Sequence, residues 1–313
     1  MEYRRLGNSG LEVSAVGLGT NNFGGRMDYE ATERVIKQTV DVGINMIDTS
    51  NSYGNGKSEE FIGKAVKGMR DKVLLATKFA SAMGQGPNQR GTSRKHIMTE
   101  VEKSLKRLET DYIDLYQVHF PDQRTPIEET MRTLDDLVHQ GKVRYIGCSN
   151  FASWQIAQAM EVAKAQGLEP FISAQPQYSM LRRDIEKEIV PACQFYGLGL
   201  LPYSPLANGF LTGKYERGKP APEGTRLANS RMAGSLLTDA NFAVLEGLEN
   251  FAAERGRSMT DLAFAWLLAN PVMGSVIAGA TKPEQVVENA KGTDWRLTPD
   301  DMKALDGLLA KWK

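Results

Sequence analysis

Cysteine is nearly absent. Cys148 and Cys193 are the two in 313 residues, too few and too far apart for a disulfide framework or a zinc site. Both sit among apolar residues and read as buried free thiols. Net charge is missing as well: Lys and Arg total 38 against 38 Asp and Glu, so no excess charge draws the chain to nucleic acid or to an acidic membrane. No apolar run approaches the ~18 residues of a membrane span, and the longest, residues 262–269, stops at Asn270-Pro271. The opening MEYRRLGNSG lacks the apolar core of a signal peptide, which makes a cytoplasmic protein the expectation. A glycine-rich dinucleotide turn is lacking too. The first strand ends in Gly17-Leu18-Gly19-Thr20-Asn21-Asn22, without the GxGxxG spacing of a doubly wound sheet.

What is present is an alternation. Strand-like runs at residues 15–19, 44–48, 73–78, 112–119, 144–148, 171–175, 198–203 and 275–279 are separated by segments of helical apolar spacing. Those segments span 29–42, 58–67, 93–108, 126–140, 153–166, 184–196, 239–255 and 283–291. Eight βα units without a linker predict an α/β fold of the (β/α)8 TIM-barrel type, one domain over residues 1–313. Residues 1–14 read as a β-hairpin that plugs the barrel floor, and 260–269 and 298–309 as two extra helices. The excursion 208–238 after the seventh strand is long and rich in Gly, Pro, Arg and Lys, as functional loops often are.

Asp48, Tyr53, Lys78 and His119 lie at or just beyond three successive strand ends. Taken singly, each passes for a turn residue, a packing ring, a solvated cation or a satisfied histidine. On parallel neighbours they gather at one carboxyl edge, where α/β proteins build their sites. Carbonyl reduction needs such a set. A tyrosine is a weak acid with a pKa of about 10, a nearby ammonium lowers it, a carboxylate fixes the ammonium, and an imidazole orients the oxygen. His96 and His139, in helical segments with charged neighbours, read as surface residues, and Trp154 and Trp266 as packing residues.

The segments GINMIDTSNSYGNGKSEEFIGKA, LLATKF, YIDLYQVH, GKVRYIGCSNF, YSPLANGFLTGKY and IAGATKPEQVVENA carry a resemblance to the aldo-keto reductase superfamily over essentially the whole chain. The wording is most similar to bacterial reductases that resemble voltage-gated potassium channel β-subunits. The resemblance implies a (β/α)8 barrel that uses NADPH without a Rossmann motif and reduces aldehydes or ketones. Asp48, Tyr53, Lys78 and His119 then form the catalytic tetrad, with Tyr53 the proton donor.

The same likeness places cofactor contacts at Gly19, Thr20, Asn21, Asp48, Ser149, Asn150 and Gln175, the last three toward the nicotinamide carboxamide. Tyr203 stacks on that ring. Ser204, Pro205, Leu206, Ala207, Gly209 and Lys214 meet the pyrophosphate loop. Arg226, Gly279, Thr281, Lys282, Gln285 and Asn289, with Lys214 at the end of that loop, take the adenosine end, where cations without an acidic residue suit a 2′-phosphate and so NADPH. Asn22, Phe23, Tyr53, residues 120–124 and 226–232 are the expected substrate lining. No metal is implied, and the partner is a small carbonyl compound, with neither nucleic acid nor membrane involved. Because the similar channel subunits include regulators, a nucleotide-sensing subunit is the competing reading. The complete tetrad favours an enzyme, and a phosphate-binding barrel lyase would need no Tyr–Lys–Asp set.

Overall fold

The computed structural model describes residues 1–228, 230 and 233–312. Eight parallel strands form the sheet: β3 (Val16–Gly19), β4 (Met46–Asp48), β5 (Leu74–Phe79), β6 (Ile113–Val118), β7 (Val143–Ser149), β8 (Phe171–Gln175), β9 (Gly199–Leu200) and β10 (Val276–Gly279). Their order, β10-β3-β4-β5-β6-β7-β8-β9, is sequential. The two ends join where Leu200 bridges Met273 and Tyr203 bridges Ile277, with Ile277 N–H donating to Pro202 O at 3.0 Å. The expected (β/α)8 barrel is therefore what the chain builds. Among the described residues no helix is long and apolar enough to cross a membrane.

Helices wrap the outside: α1 (Tyr29–Asp41), α2 (Lys57–Ala65), α3 (Arg94–Arg107), α4 (Ile127–His139), α5 (Ser153–Gln166) and α6 (Ile189–Tyr196) follow successive strands. Then come α7 (Ala233–Leu236), α8 (Asp239–Ala253), α9 (Met259–Leu268), α10 (Pro283–Lys291) and α11 (Pro299–Leu309). Side-chain caps begin several of them, as at Asp28, Ser93 and Thr238, where each accepts a backbone N–H of the first turn. Most expected boundaries lie within two residues of those observed. Two differ for reasons of proline chemistry. The segment 184–196 starts as a separate 3₁₀ turn, Asp184–Glu186, and α6 begins at Ile189 so that Pro191 falls in the first turn, where its missing N–H costs nothing. The seventh strand is only Gly199–Leu200, because Pro202 cannot donate to the ladder. The short α7 inside the long excursion was not anticipated.

Along each strand successive side chains point to opposite sides. Met46, Ala76 and Leu115 face into the barrel and join Leu201 and Ile277 there. Ile47, Leu75, Tyr116 and Val118 face out into the larger core beneath the helices. The inward positions two residues further on are Asp48, Lys78 and Gln117. The lower barrel layer is thus apolar and the layer above it polar.

The hairpin of β1 (Tyr3–Arg5) and β2 (Glu12–Ser14) closes the floor, Tyr3 pairing with Ser14 and Arg5 with Glu12. Its Leu6 and Val13 are fully buried against that lower layer. Gly7 is held at φ 59°, and a Cβ there would sit 2.4 Å from Gly197 O, so the plug seats backbone on backbone. Leu6→Ala is expected to lower unfolding free energy by about 2–5 kcal/mol, a side chain removed from a site that cannot collapse. Denaturant titration checks it; a loss under about 1 kcal/mol would mean that the hairpin does not seal the core.

Two sequence expectations for lone residues fail. His96 is buried at 1% exposure, because it sits on the same inward stripe of α3 as Glu100 despite its charged sequence neighbours. Trp154, expected to pack, is 60% exposed at the start of α5.

Candidate active site at the carboxyl end of the barrel

Asp48 ends β4, Lys78 is the penultimate residue of β5, His119 follows β6, and Tyr53 opens the 3₁₀ turn Tyr53–Gly56. The loop from Asp48 to Tyr53 is fastened to the neighbouring strand by Thr49 N–H to Ala76 O (2.8 Å) and Asn51 N–H to Lys78 O (3.1 Å). The Asn51 side chain donates to buried Glu100 at 2.8 Å, tying the loop to α3. Buried Glu59 accepts from Thr77 and Arg107, fixing the start of α2 behind it. The tyrosine is therefore carried on a loop with few free polar groups.

Lys78 has no exposed surface, and its ammonium donates to Asp48 Oδ2 at 2.6 Å and to Thr49 O at 2.9 Å. Burial opposes its charge, but Asp48 and Tyr53 outweigh burial and hold the amine above its ordinary pKa. The other carboxylate oxygen of Asp48 accepts from Gln117 (3.1 Å) and Gln175 (2.9 Å). Asp48 is thus the buried counter-ion of Lys78, held by two amides.

The Lys78 ammonium lies 5.4 Å from the centroid of the Tyr53 ring, and the His119 ring 5.9 Å away, edge-on at 78°. The expectation that Lys78 brings the phenol down toward neutrality is corrected here. Lys78 does act in that direction, but burial acts more strongly, and the net effect raises Tyr53 above its ordinary value. The phenol keeps its proton throughout the neutral range. His119 is pushed down to about 3 by burial and by Lys78, so its imidazole is neutral. Its Nδ1 lies 3.2 Å from Ser50 Oγ and 3.3 Å from Ser81 Oγ, while Nε2 has no partner among the described residues.

These groups open into a cavity of about 800 Å³. Every expected cofactor residue lines it except Ala207 and Asn289, which are buried behind its wall. Ser149 donates to Gln175 O at 2.8 Å, and Tyr203 donates to Asn150 Oδ1 at 2.9 Å, so the expected carboxamide side chains form one network beside Asp48. The stretch after Tyr203 turns through the left-handed region at Ser204, Ala207, Asn208 and Gly209, a curvature that aims backbone groups at one side. Gly209 leaves room for Lys214, whose ammonium would sit 2.7 Å from a Cβ placed there. Burial and Arg226 both press Lys214 below its ordinary pKa.

The fit to a phosphorylated dinucleotide is good: the cavity is large enough, and Lys214, Arg226 and Lys282 on its wall make no ion pair among the described residues. No described cluster of His, Cys, Asp or Glu could hold a metal ion.

The substrate side differs more. Asn22, Phe120 and Arg226 line the cavity, but Phe23 turns into the core, and Pro121, Asp122 and Arg124 border separate grooves beside 80–91. Asn229, Arg231 and Met232 of the expected lining lie outside the described residues. Sequence reasoning passed over Gln117 and Arg26. Gln117 had a signal, a polar residue inside an apolar strand two positions before His119; Arg26, in an irregular loop, had none.

A (β/α)8 barrel with a buried Lys–Asp pair beneath a tyrosine and a neutral histidine fits a barrel oxidoreductase. The chain belongs to the aldo/keto reductase family, whose model matches residues 15–310. It is 39% identical over 99% of its length to a rice (Oryza sativa subsp. japonica) protein named a probable voltage-gated potassium channel subunit beta, covering 97% of that protein. It is 38% identical over 99% of its length to the aldo-keto reductase YhdN of Bacillus subtilis, covering 94%. The L-glyceraldehyde 3-phosphate reductase of Escherichia coli K12 is 33% identical over the whole chain, with 95% of that protein covered.

Proposed function

We propose that the protein is an NADPH-dependent reductase of aldehydes and ketones, with Tyr53 as the proton donor and residues 1–313 forming one catalytic domain. The observation that carries this reading is Lys78, a fully buried ammonium paired to Asp48 and set against the Tyr53 ring. Burying a cation costs free energy that pairing must offset, and a charge-paired, fully buried ammonium set against a tyrosine in a cleft is the kind of arrangement that functional sites build. Two buried free thiols suit the reducing cytoplasm.

When bound, NADPH supplies the hydride that no side chain can. The remaining work falls to this chain. The neutral imidazole of His119 hydrogen-bonds the carbonyl oxygen and orients it between Nε2 and the Tyr53 hydroxyl. As that oxygen gains charge, Tyr53 gives up its proton, and Lys78 stabilises the phenolate left behind. Asp48 keeps Lys78 charged and in place without exchanging a proton. Ser149, Asn150, Gln175 and Tyr203 hold the nicotinamide end, while the turns from Ser204 to Lys214 hold the pyrophosphate. Steady-state loss of NADPH absorbance with a panel of aldehydes tests the reading. Tight NADPH binding without turnover on any carbonyl would instead favour a nucleotide-sensing regulatory subunit, the rice relative being named a probable channel subunit.

Lys214, Arg226 and Lys282 are the cations we assign to the 2′-phosphate side of the cofactor. NADPH is expected to exceed NADH by at least about tenfold in kcat/KM, ~1.4 kcal/mol. Lys214→Ala should erode that preference by weakening NADPH more than NADH. Equal use of both cofactors by the unmodified protein would remove the assignment.

A further inference from the structure

His119 is one of three histidines, and its surroundings differ from those of the other two. His96 sets Nδ1 against Asn88 O at 3.2 Å, and His139 sets Nδ1 against Asp135 O at 3.0 Å. A backbone carbonyl only accepts, so each of these rings, when neutral, keeps its proton on Nδ1. Nδ1 of His119 instead meets two hydroxyls, Ser50 Oγ at 3.2 Å and Ser81 Oγ at 3.3 Å. A hydroxyl can donate as well as accept, so Nδ1 is free to stay bare there.

Ser50 and Ser81 reach the ring from two loops, one beyond β4 and the other beyond β5. Ser50 is fully buried, and its oxygen already accepts the Ser52 N–H at 3.3 Å. Its own hydrogen remains to be donated, with Nδ1, Ser52 Oγ at 3.0 Å and Asn51 Oδ1 at 3.4 Å in reach. The Ser81 hydroxyl has Nδ1 as its one hydrogen-bond partner among the described residues, so a donor is present even when Ser50 turns to Ser52. The histidine is fixed between them. Its N–H donates to Phe79 O at 3.0 Å, its carbonyl accepts from Asn150 Nδ2 at 2.9 Å, and Phe120 stacks on the imidazole with centroids 4.4 Å apart. Being neutral, the ring carries a single N–H. A substrate carbonyl oxygen only accepts, so the nitrogen that meets it must hold that hydrogen, and the nitrogen behind must be an acceptor with a donor beside it.

We infer that Ser50 and Ser81 are positioning residues that donate to Nδ1 of His119 and thereby hold its proton on Nε2, facing the substrate carbonyl. The inference rests on the carbonyl-reductase reading and adds to it what sets the tautomer. Neither serine touches the reacting atoms; both act through the imidazole. Without them the bare Nδ1 loses its partner, the Nε2–H form loses its advantage, and the ring no longer offers a secure donor to the carbonyl oxygen.

Nitrogen-15 NMR of the NADP⁺-loaded protein labelled at histidine reads the tautomer without turnover, and His119→Asn assigns the signals. Nδ1 of His119 is expected to be unprotonated and Nε2 protonated, the reverse of His96. In Ser50→Ala/Ser81→Ala the Nδ1 resonance should move toward that of a nitrogen accepting no hydrogen bond. A protonated Nδ1 in the unmodified protein, or a resonance unmoved in the double variant, overturns the inference while leaving carbonyl reduction standing.

Steady-state rates supply the second readout. Each single alanine variant should lower kcat/KM for an aldehyde by about two- to threefold, and the pair together by about tenfold or more, ~1.4 kcal/mol, with NADPH binding within a few fold of the parent. Ser50→Ala/Ser81→Thr keeps one hydroxyl and should match Ser50→Ala alone. Ser50→Ala/Ser81→Val has the same shape without it and should be as slow as the double alanine variant. Equal rates for the threonine and valine variants, or a parallel loss of NADPH affinity, would reduce the serines to packing residues and sink the proposal. A bare Nδ1 in a protein that reduces no aldehyde would count against carbonyl reduction and leave the hydrogen-bond assignment in place.

Discussion

Tyr53→Phe is expected to lower the turnover of aldehyde reduction by about 10²–10⁴-fold, the usual contribution of a positioned general acid. The ring should stay where it is. The loop that carries it is fastened by Thr49, Asn51 and Glu100, none of which uses the phenolic oxygen. The variant should therefore bind NADPH within a few fold of the parent, because the hydroxyl acts only as charge develops on the substrate oxygen. Single-turnover measurements at saturating cofactor separate the two quantities. Turnover near that of the parent would take Tyr53 out of the mechanism, whereas a parallel loss of NADPH affinity would mean that the loop had moved.

Lys78→Met should be slow by a comparable factor for a different reason. Lys78 is the group that lowers the Tyr53 pKa against the stronger effect of burial. In the unmodified protein Tyr53 titrates above its ordinary value of about 10, so kcat/KM for reduction should be level through neutral pH. It should fall only at strongly alkaline pH, as the phenol loses the proton it must donate. His119, pushed down to about 3, adds no acid limb near 6.5. Without the ammonium the phenol becomes a weaker acid, so the rate drops and the alkaline fall moves to still higher pH. Stability should drop too, on the order of 3–5 kcal/mol for a broken buried ion pair, toward the lower end because Gln117 and Gln175 still donate to Asp48. A well-folded variant whose pH profile matches the parent would show that Lys78 is not coupled to the acid.

Much of this site was legible before any coordinates. Asp48, Lys78 and His119 each interrupt or end an apolar strand, and an ionisable group at such a place stands out against the run before it. The barrel was legible because its helices and strands differ in period and are punctuated by caps and turn residues. What was not legible depends on sums or on irregular backbone. The net position of Tyr53 is a balance between burial and Lys78, and sequence gives the sign of each effect but not their relative size. Glu100 supports the catalytic loop from a helix about fifty residues away, in a pattern that reads as an ordinary amphipathic face. Arg26 sits in a turn set by packing of Phe23 and Met27, where no periodicity tells which way a side chain points. His96 misled because charged neighbours in sequence are not neighbours on a helix face.

The alternation of inward and outward side chains gives the active site a reading frame. Asp48 and Lys78 face the barrel interior because of their parity along their strands, and their chemistry suits the site. One residue inserted within β5 ahead of Lys78 would send the ammonium under the helices and bring a hydrophobic or hydroxyl neighbour into the cavity. Two inserted residues would restore the direction and lift the group by one layer. Loops at either end of the barrel can change length residue by residue without touching this frame, but the strands can drift only in steps of two. Variation among barrels of this kind should accordingly gather in loops such as residues 20–28, which can change while the strand-borne groups stay in phase.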